Sequence, residues 1–176
     1  MRHALASHPD FPTDAVRAIE VDVARPSPDA LSLVYRVSGR IGALRIPARS
    51  RPVRTDELWR TTCFEAFLRP EPGEAYVEFN FAPSRRWAAY GFTGPRAGMA
   101  ALAVAPPRIR FRAADDVAEL HVALEVPVAA RGRLALAAVI EAADGRISYW
   151  SLAHPSGRPD FHHAAGFAAA LPSPLR

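Results

Sequence analysis

Apolar and polar residues alternate with a period of two through most of this chain, and that restricts it to extended structure. RAIEVDVAR sends Ile19, Val21 and Val23 to one side and Glu20 and Asp22 to the other. LSLVYRV repeats the pattern with Leu31, Leu33, Tyr35 and Val37. PRIRFR and ELHVALEV continue it, with Ile109, Phe111, Leu120, Val122, Leu124 and Val126 opposite Arg110, His121 and Glu125. Seventeen prolines fall between these runs in clusters such as PSP, RPEPG and HPSGRP. Proline cannot donate to a sheet ladder, so the clusters mark connections. Asp144-Gly145, between LALAAVIEAA and RISYWSL, reads as a type I′ hairpin turn. Ala97–Ala105 and the HHAAGFAAAL segment before the terminus are expected to form short helices. The fold class is all-β: an antiparallel β-sandwich or jelly roll with short helical connections.

At 176 residues the chain is read as a single domain, residues 1–176. No run approaches the ~18–20 apolar residues that span a bilayer, so no membrane partner is expected. The start, MRHALASHPDFP, lacks a continuous apolar segment of secretory type. A lone cysteine, Cys63, excludes an internal disulfide, so a cytoplasmic setting and a packed thiol are expected. The formal charge of +4 invites a nucleic-acid partner. The chain has no lysine, no glutamine and one asparagine, however, and its arginines are dispersed. That pattern fits a coding bias, and no nucleic-acid partner is expected. Arg108, Arg110 and Arg112 read as the solvated face of a strand. The oligomeric state is left open.

The stretch LWRTTCFEAFL places Glu65 among aromatic and aliphatic residues. Phe64, Ala66 and Leu68 share one strand face; Cys63, Glu65 and Phe67 share the other. On the return strand AYVEFNF, Val77, Phe79 and Phe81 are apolar, with Tyr76, Glu78 and Asn80 opposite. Joining the apolar faces sets the parity and suggests pairing Glu65 with Glu78, Phe67 with Tyr76 and Cys63 with Asn80. Extending the alternation adds Arg86 and Tyr90 from the next strand, and Trp59 if the first strand reaches back that far. Two carboxylates side by side call for a cation, a shared proton or a ligand. Aromatic planes with carboxylate, amide and guanidinium groups between them suit a polyol or sugar. A solvated polar sheet face is the competing reading.

The block LWRTTCFEAFLRPEPGEAYVEFNFAPSRRWAAY, with ISYWSLAHPSGRPDFHH, resembles bacterial DOMON-like domains, which are similar in turn to family 9 carbohydrate-binding modules. The resemblance implies a jelly-roll-like sandwich with a ligand pocket on one sheet. It implies stacking by Trp59 and Trp150, and polar contacts from Glu65 and from Arg86 or Arg85. The asparagine that accompanies the second tryptophan in the sugar binders has no counterpart here, where Tyr149 and Ser151 flank Trp150. The same superfamily includes haem-binding domains with axial Met and His ligands, for which Met99 with His154 or His121 would be the pair.

HPSGRPDFHH holds His154, Asp160, His162 and His163 in no recognised metal spacing. The adjacent histidines cannot both face one site on an extended backbone. The segment is expected to be a polar loop closing over the sandwich end, with His154 and Asp160 on the pocket rim. The expected function is therefore non-catalytic binding of a saccharide or related polar metabolite. The binding residues would be Trp59, Glu65, Tyr76, Glu78, Asn80, Arg86, Tyr90, Trp150, His154 and Asp160. No resident cofactor is expected; haem, and calcium in a loop, are the alternatives. The rival activity is a glycan-acting enzyme using Glu65 and Glu78, and a further rival is a partner-binding module with an exposed sheet edge.

Overall fold

The computed structural model describes residues 1–126 and 131–175. The strands are β1 (Arg2–Ser7), β2 (Val16–Ser27), β3 (Ala30–Gly39), β4 (Cys63–Pro70), β5 (Tyr76–Phe81) and β6 (Trp87–Phe92). They continue as β7 (Ala100–Ala101), β8 (Arg108–Ala113), β9 (Val117–Glu125), β10 (Gly132–Glu141), β11 (Ile147–Ser151) and β12 (Ala169–Ala170). Their order is β7-β6-β5-β4-β10-β11-β1-β2-β3-β9-β8, with β12 on the side of β10, and neighbours are antiparallel. The fold is all-β, as the alternation required.

β1 links two halves of this path. Its first residues pair with β2, from Arg2 with Asp22 to Leu5 with Ile19. Its last residues pair with β11, Ala6 with Ser151 and Ser7 with Trp150. One half is therefore β1-β2-β3-β9-β8, and the other runs from β11 through β10, β4 and β5 to β6 and β7. The alternating apolar sets of β2, β3 and β9 face inward as the pattern predicted: Val21, Leu33, Tyr35 and Leu120 are fully buried. They meet Phe64, Ala66, Phe79, Phe81, Leu134 and Leu136 of the other half in one apolar cluster. Tyr35 and Phe64 rings lie 5.1 Å apart across the layers, and the Tyr35 hydroxyl donates to the Glu65 carbonyl at 2.7 Å. Arg108, Arg110 and Arg112 are exposed on β8, opposite the buried Ile109.

The half containing β4 is covered on its outer face as well. Cys63, Phe67, Tyr76, Tyr90, Phe92, Ala135, Ala137 and Phe167 form a second cluster there. This explains why nearly every residue of β4, β5 and β10 is buried, whichever way it points. Cys63 is a packed thiol on this face, and burial pushes it well above the ordinary thiol range.

Both expected helices are absent. Within Ala97–Ala105, Ala100 and Ala101 form edge strand β7 against β6 and are exposed. That run has no stripe of large side chains to bury, so pairing with a free strand edge wins over helix formation. In the alanine-rich C-terminal segment only Ala164–Gly166 makes a turn of 3₁₀ helix. β12 then pairs with Arg133 and Leu134, and the Arg133 guanidinium donates to the carbonyls of Phe167 and Ala168. No helix of the described residues is long and apolar enough to cross a membrane.

Candidate ligand-binding cavity

The observed register keeps the expected parity but is offset by two residues. Glu65 lies opposite Asn80, Phe67 opposite Glu78, and Glu78 opposite Tyr90. Glu65 and Glu78 are thus diagonal neighbours rather than a direct pair. At roughly 7–8 Å between Cα atoms, diagonal positions still let long side chains meet. The Asn80 amide donates from Nδ2 to Glu78 Oε1 at 2.6 Å. Asn80 is itself fully buried, and its Oδ1 faces the Cys63 thiol at 3.7 Å.

Glu65 and Glu78 form the floor of a cavity of ≈460 Å³. Val139 of β10 completes that floor; Trp59, Tyr90 and Phe92 stand on one side. Tyr149, Pro159 and Phe161 stand on the other, and Arg96, Met99 and His162 contribute from connecting segments. Trp59 is not on a strand. β4 begins only at Cys63, and Trp59 sits in a 3₁₀ turn, Leu58–Arg60, entered through Glu57 at φ 59°. The turn still delivers the indole edge-on to Tyr90, with ring centroids 6.4 Å apart. The Tyr90 hydroxyl donates to Asp56 at 2.7 Å.

Both acids are buried, Glu65 to 3% exposure and Glu78 to 4%. The Glu65 side chain has no hydrogen-bond partner among the described residues, and its Oε1 is sealed from solvent. Burial, reinforced by the charge of Glu78, pushes Glu65 well above the usual carboxylate range. Burial likewise raises Glu78 to about 7, against the opposing pull of Asn80 and Arg96.

His162 lies over this pair. Its Nδ1 is 2.8 Å from the Tyr76 hydroxyl, and the Arg96 backbone N–H donates to the same phenol oxygen at 3.2 Å. The other ring nitrogen, Nε2, is 3.7 Å from Glu78 Oε2. Burial, helped by the Arg96 charge, lowers His162 to about 4, so the ring is neutral at pH 7 and its approach to Glu78 is not an ion pair. The Arg96 side chain donates to Asp160 at 2.7 Å, and Asp160 also accepts from the His162 N–H at 3.0 Å. Arg96 holds a left-handed backbone, φ 54°. Such a conformation at a non-glycine residue is maintained only when its surroundings fix it.

Of the ten residues singled out in the sequence, Trp59, Glu65, Glu78 and Tyr90 line the cavity. Tyr76 and Asn80 support it from below through His162 and Glu78. Asp160 holds Arg96 at the rim. His154 sits behind Phe161, ring centroids 6.4 Å apart, and its Nε2–H donates to the Ala6 carbonyl at 2.9 Å.

Two positions need correction. Arg86 is exposed in the turn before β6. It has the parity of Tyr90 but lies four residues away, roughly 13 Å along a strand, and does not reach the cavity. The guanidinium at the rim belongs to Arg96. Trp150 is 5% exposed and lies in the inter-sheet core, its Nε1–H donating to Ser148 Oγ at 3.0 Å. The turn at Asp144-Gly145 explains the exchange. A two-residue type I′ turn would pair Trp150 with Val139. Only Gly145 has positive φ, 86°, and Ala142 N–H donates to the Arg146 carbonyl across three intervening residues. That is the three-residue hairpin loop. Its extra residue sets Tyr149 opposite Val139, so Tyr149 enters the cavity and Trp150 turns inward.

Arg96, Phe92, Met99, Tyr149, Phe161 and His162 were not identified as cavity residues from the sequence; all but Phe92 and Tyr149 lie outside the strands. Of the nominated haem pair, Met99 is at the cavity, His154 is behind Phe161, and His121 is across the sandwich, hydrogen-bonded to Glu119. Among the described residues no cluster of three or more His, Cys, Asp or Glu side chains is arranged to hold a metal ion.

No protein-family model matches this chain, and no curated protein matches it. Solved structures do. A candidate carbohydrate-binding protein from Bacteroides uniformis is similar with a TM-score of 0.64 at 15% identity, over 94% of this chain and 83% of its own. A family 9 carbohydrate-binding module from Caldicellulosiruptor kristjanssonii, solved with glucose, is similar with a TM-score of 0.52 at 8% identity, over 80% of this chain and 69% of its own. The structure of such a module with cellotriose gives 0.55 at 9% identity, over 84% and 75%. The fold is that of the family 9 carbohydrate-binding modules.

Proposed function

We propose that this chain is a non-catalytic saccharide-binding domain and that the ligand sits in the cavity floored by Glu65 and Glu78. The observation that carries the reading is an aromatic-walled cavity whose floor holds a buried carboxylate with no hydrogen-bond partner among the described residues. Ring faces of Trp59, Tyr90 and Tyr149 offer stacking surface to sugar C–H groups, while Glu65, Glu78, Arg96 and His162 offer acceptors and donors for hydroxyls. The fold supports the same reading, because its structural neighbours are carbohydrate-binding modules, two of them described with glucose and cellotriose. Placement among DOMON-like domains rests on the sequence blocks quoted above.

Titration calorimetry against a panel of mono- and oligosaccharides tests the proposal, with Trp59→Phe as the control for the fluorescence change. Binding tighter than millimolar with a Trp59-dependent signal is the expected result. No binding across the panel and no fluorescence change would remove the reading.

One observation favours glycoside chemistry as a second reading: Glu78 is raised to about 7 beside a second buried acid, as a general acid requires. Hydrolysis of chromogenic glycosides, lost in Glu65→Gln, would support it; no turnover at any pH from 5 to 8 would end it.

A further inference from the structure

The charges around the cavity floor do not balance. Glu65 has no arginine or histidine within ion-pair distance among the described residues, and the basic group beside Glu78 is the neutral His162 at 3.7 Å. The Arg96 guanidinium moderates Glu78 from a distance but is bonded to Asp160. The other titratable groups facing the pair are Cys63 on β4, Tyr76 on β5, Tyr35 through the sheet, and Tyr90 with Asp56 behind it. None of these is a cation. Among the described residues Glu78 therefore has one amide donor, Asn80, and the Glu65 carboxyl has none.

A neutral sugar leaves that imbalance in place, because its hydroxyls can donate but bring no charge. The two acids must then keep a proton between them. An ammonium group brings three donors and one positive charge, matching acceptor sites on two carboxylates. Its surroundings also suit a cation: the rings of Trp59, Tyr90, Phe92, Tyr149 and Phe161 border the same space, and ring faces attract positive charge.

We infer that the saccharide taken by this cavity carries a free amino group, held as an ammonium between Glu65 and Glu78. The inference rests on the saccharide reading above and narrows it to amino sugars. On binding, the ammonium charge favours ionisation of both acids, so proton release to solvent accompanies the amine and not the neutral sugar.

The test is calorimetry at pH 7 with glucosamine, glucose and N-acetylglucosamine on the full chain, repeated in two buffers of different ionisation enthalpy. Expected are at least tenfold tighter binding of glucosamine than of either neutral sugar, and a proton released with glucosamine alone. Glu65→Gln and Glu78→Gln should each reduce that preference, and the double variant should abolish it. The buffer comparison uses the unaltered protein and does not depend on the variants folding. Glucose binding as tightly as glucosamine, or amine binding without proton release, overturns the inference and leaves the saccharide reading standing. Failure of all three sugars and of the wider panel removes both.

Discussion

Asn80 stands directly across from Glu65 in the β4–β5 ladder, yet gives its amide hydrogen to Glu78 at 2.6 Å. One neutral side chain thus faces one acid across the ladder and satisfies the other. Asn80→Asp keeps the shape and replaces the donor by a third buried carboxyl. Urea unfolding should show a loss of about 3 kcal/mol at pH 7. Much of it should return at pH 5, where the cluster is protonated.

The acids and the histidine above them pull stability in opposite directions. Glu78 is raised from 4.5 to about 7, so the folded state holds its proton more tightly than the unfolded chain. Its contribution is complete below pH 4.5 and is lost as pH rises through 7. Glu65 has the same sign. His162 is lowered from 6.5 to about 4, so its contribution is present above pH 6.5 and is lost as pH falls through 4. The terms oppose one another between 4.5 and 6.5, and above 6.5 the acids act alone. Stability should fall between pH 6.5 and 8.5 by about 1 kcal/mol from Glu78, with Glu65 adding to it. Glu78→Gln should flatten that slope in urea titrations.

The indoles of Trp150, in the core, and Trp59, at the cavity, should respond differently to removal. Trp150→Ala empties a core position and should cost about 3–5 kcal/mol of stability in chemical unfolding. Trp59, 39% exposed in its short turn, should cost less than about 1 kcal/mol as alanine. The same change should weaken saccharide binding by about 2 kcal/mol, a loss of ~30-fold by calorimetry. Equal effects of the two changes on stability would contradict the placement.

Tyr35 ties the layers together beneath the cavity, its hydroxyl donating to the Glu65 carbonyl at 2.7 Å. Tyr35→Phe should destabilise by about 1 kcal/mol without creating a void. Ligand affinity should change little, because the Glu65 side chain keeps its place on the strand.

Arg96 and Asp160 form a rim ion pair with substantially exposed side chains. A double-mutant cycle with Arg96→Ala and Asp160→Ala should give a stability coupling of no more than about 0.2–1 kcal/mol. Hydrogen exchange at the His162 amide, which donates to Asp160, should accelerate in Asp160→Ala.

Much of this architecture was legible from alternation. It yields the inward sets of β2, β3, β8 and β9, and the parity that puts Glu65, Glu78 and Tyr90 on one face. Parity repeats every two residues, so it could not distinguish Glu65 opposite Glu78 from Glu65 opposite Asn80. Trp150 was implied by the family resemblance alone, and which of Trp150 and Tyr149 faces the cavity depends on one residue of loop length, which Asp-Gly does not specify. Arg96 and His162 were beyond reach for another reason. They lie in irregular segments, where no period relates sequence position to direction. Trp59 reached the expected side by a different route, through a helical turn instead of an extended strand.

The cavity is divided between two kinds of backbone: its acids stand on ladder-locked strands, while its guanidinium, its imidazole and the rings of Trp59 and Phe161 hang from connecting segments. The peripheral segments can therefore be changed with the least disturbance to the ladder that holds Glu65 and Glu78. An engineer seeking new selectivity would randomise residues 94–99 and 155–163 first and leave the acidic bed untouched.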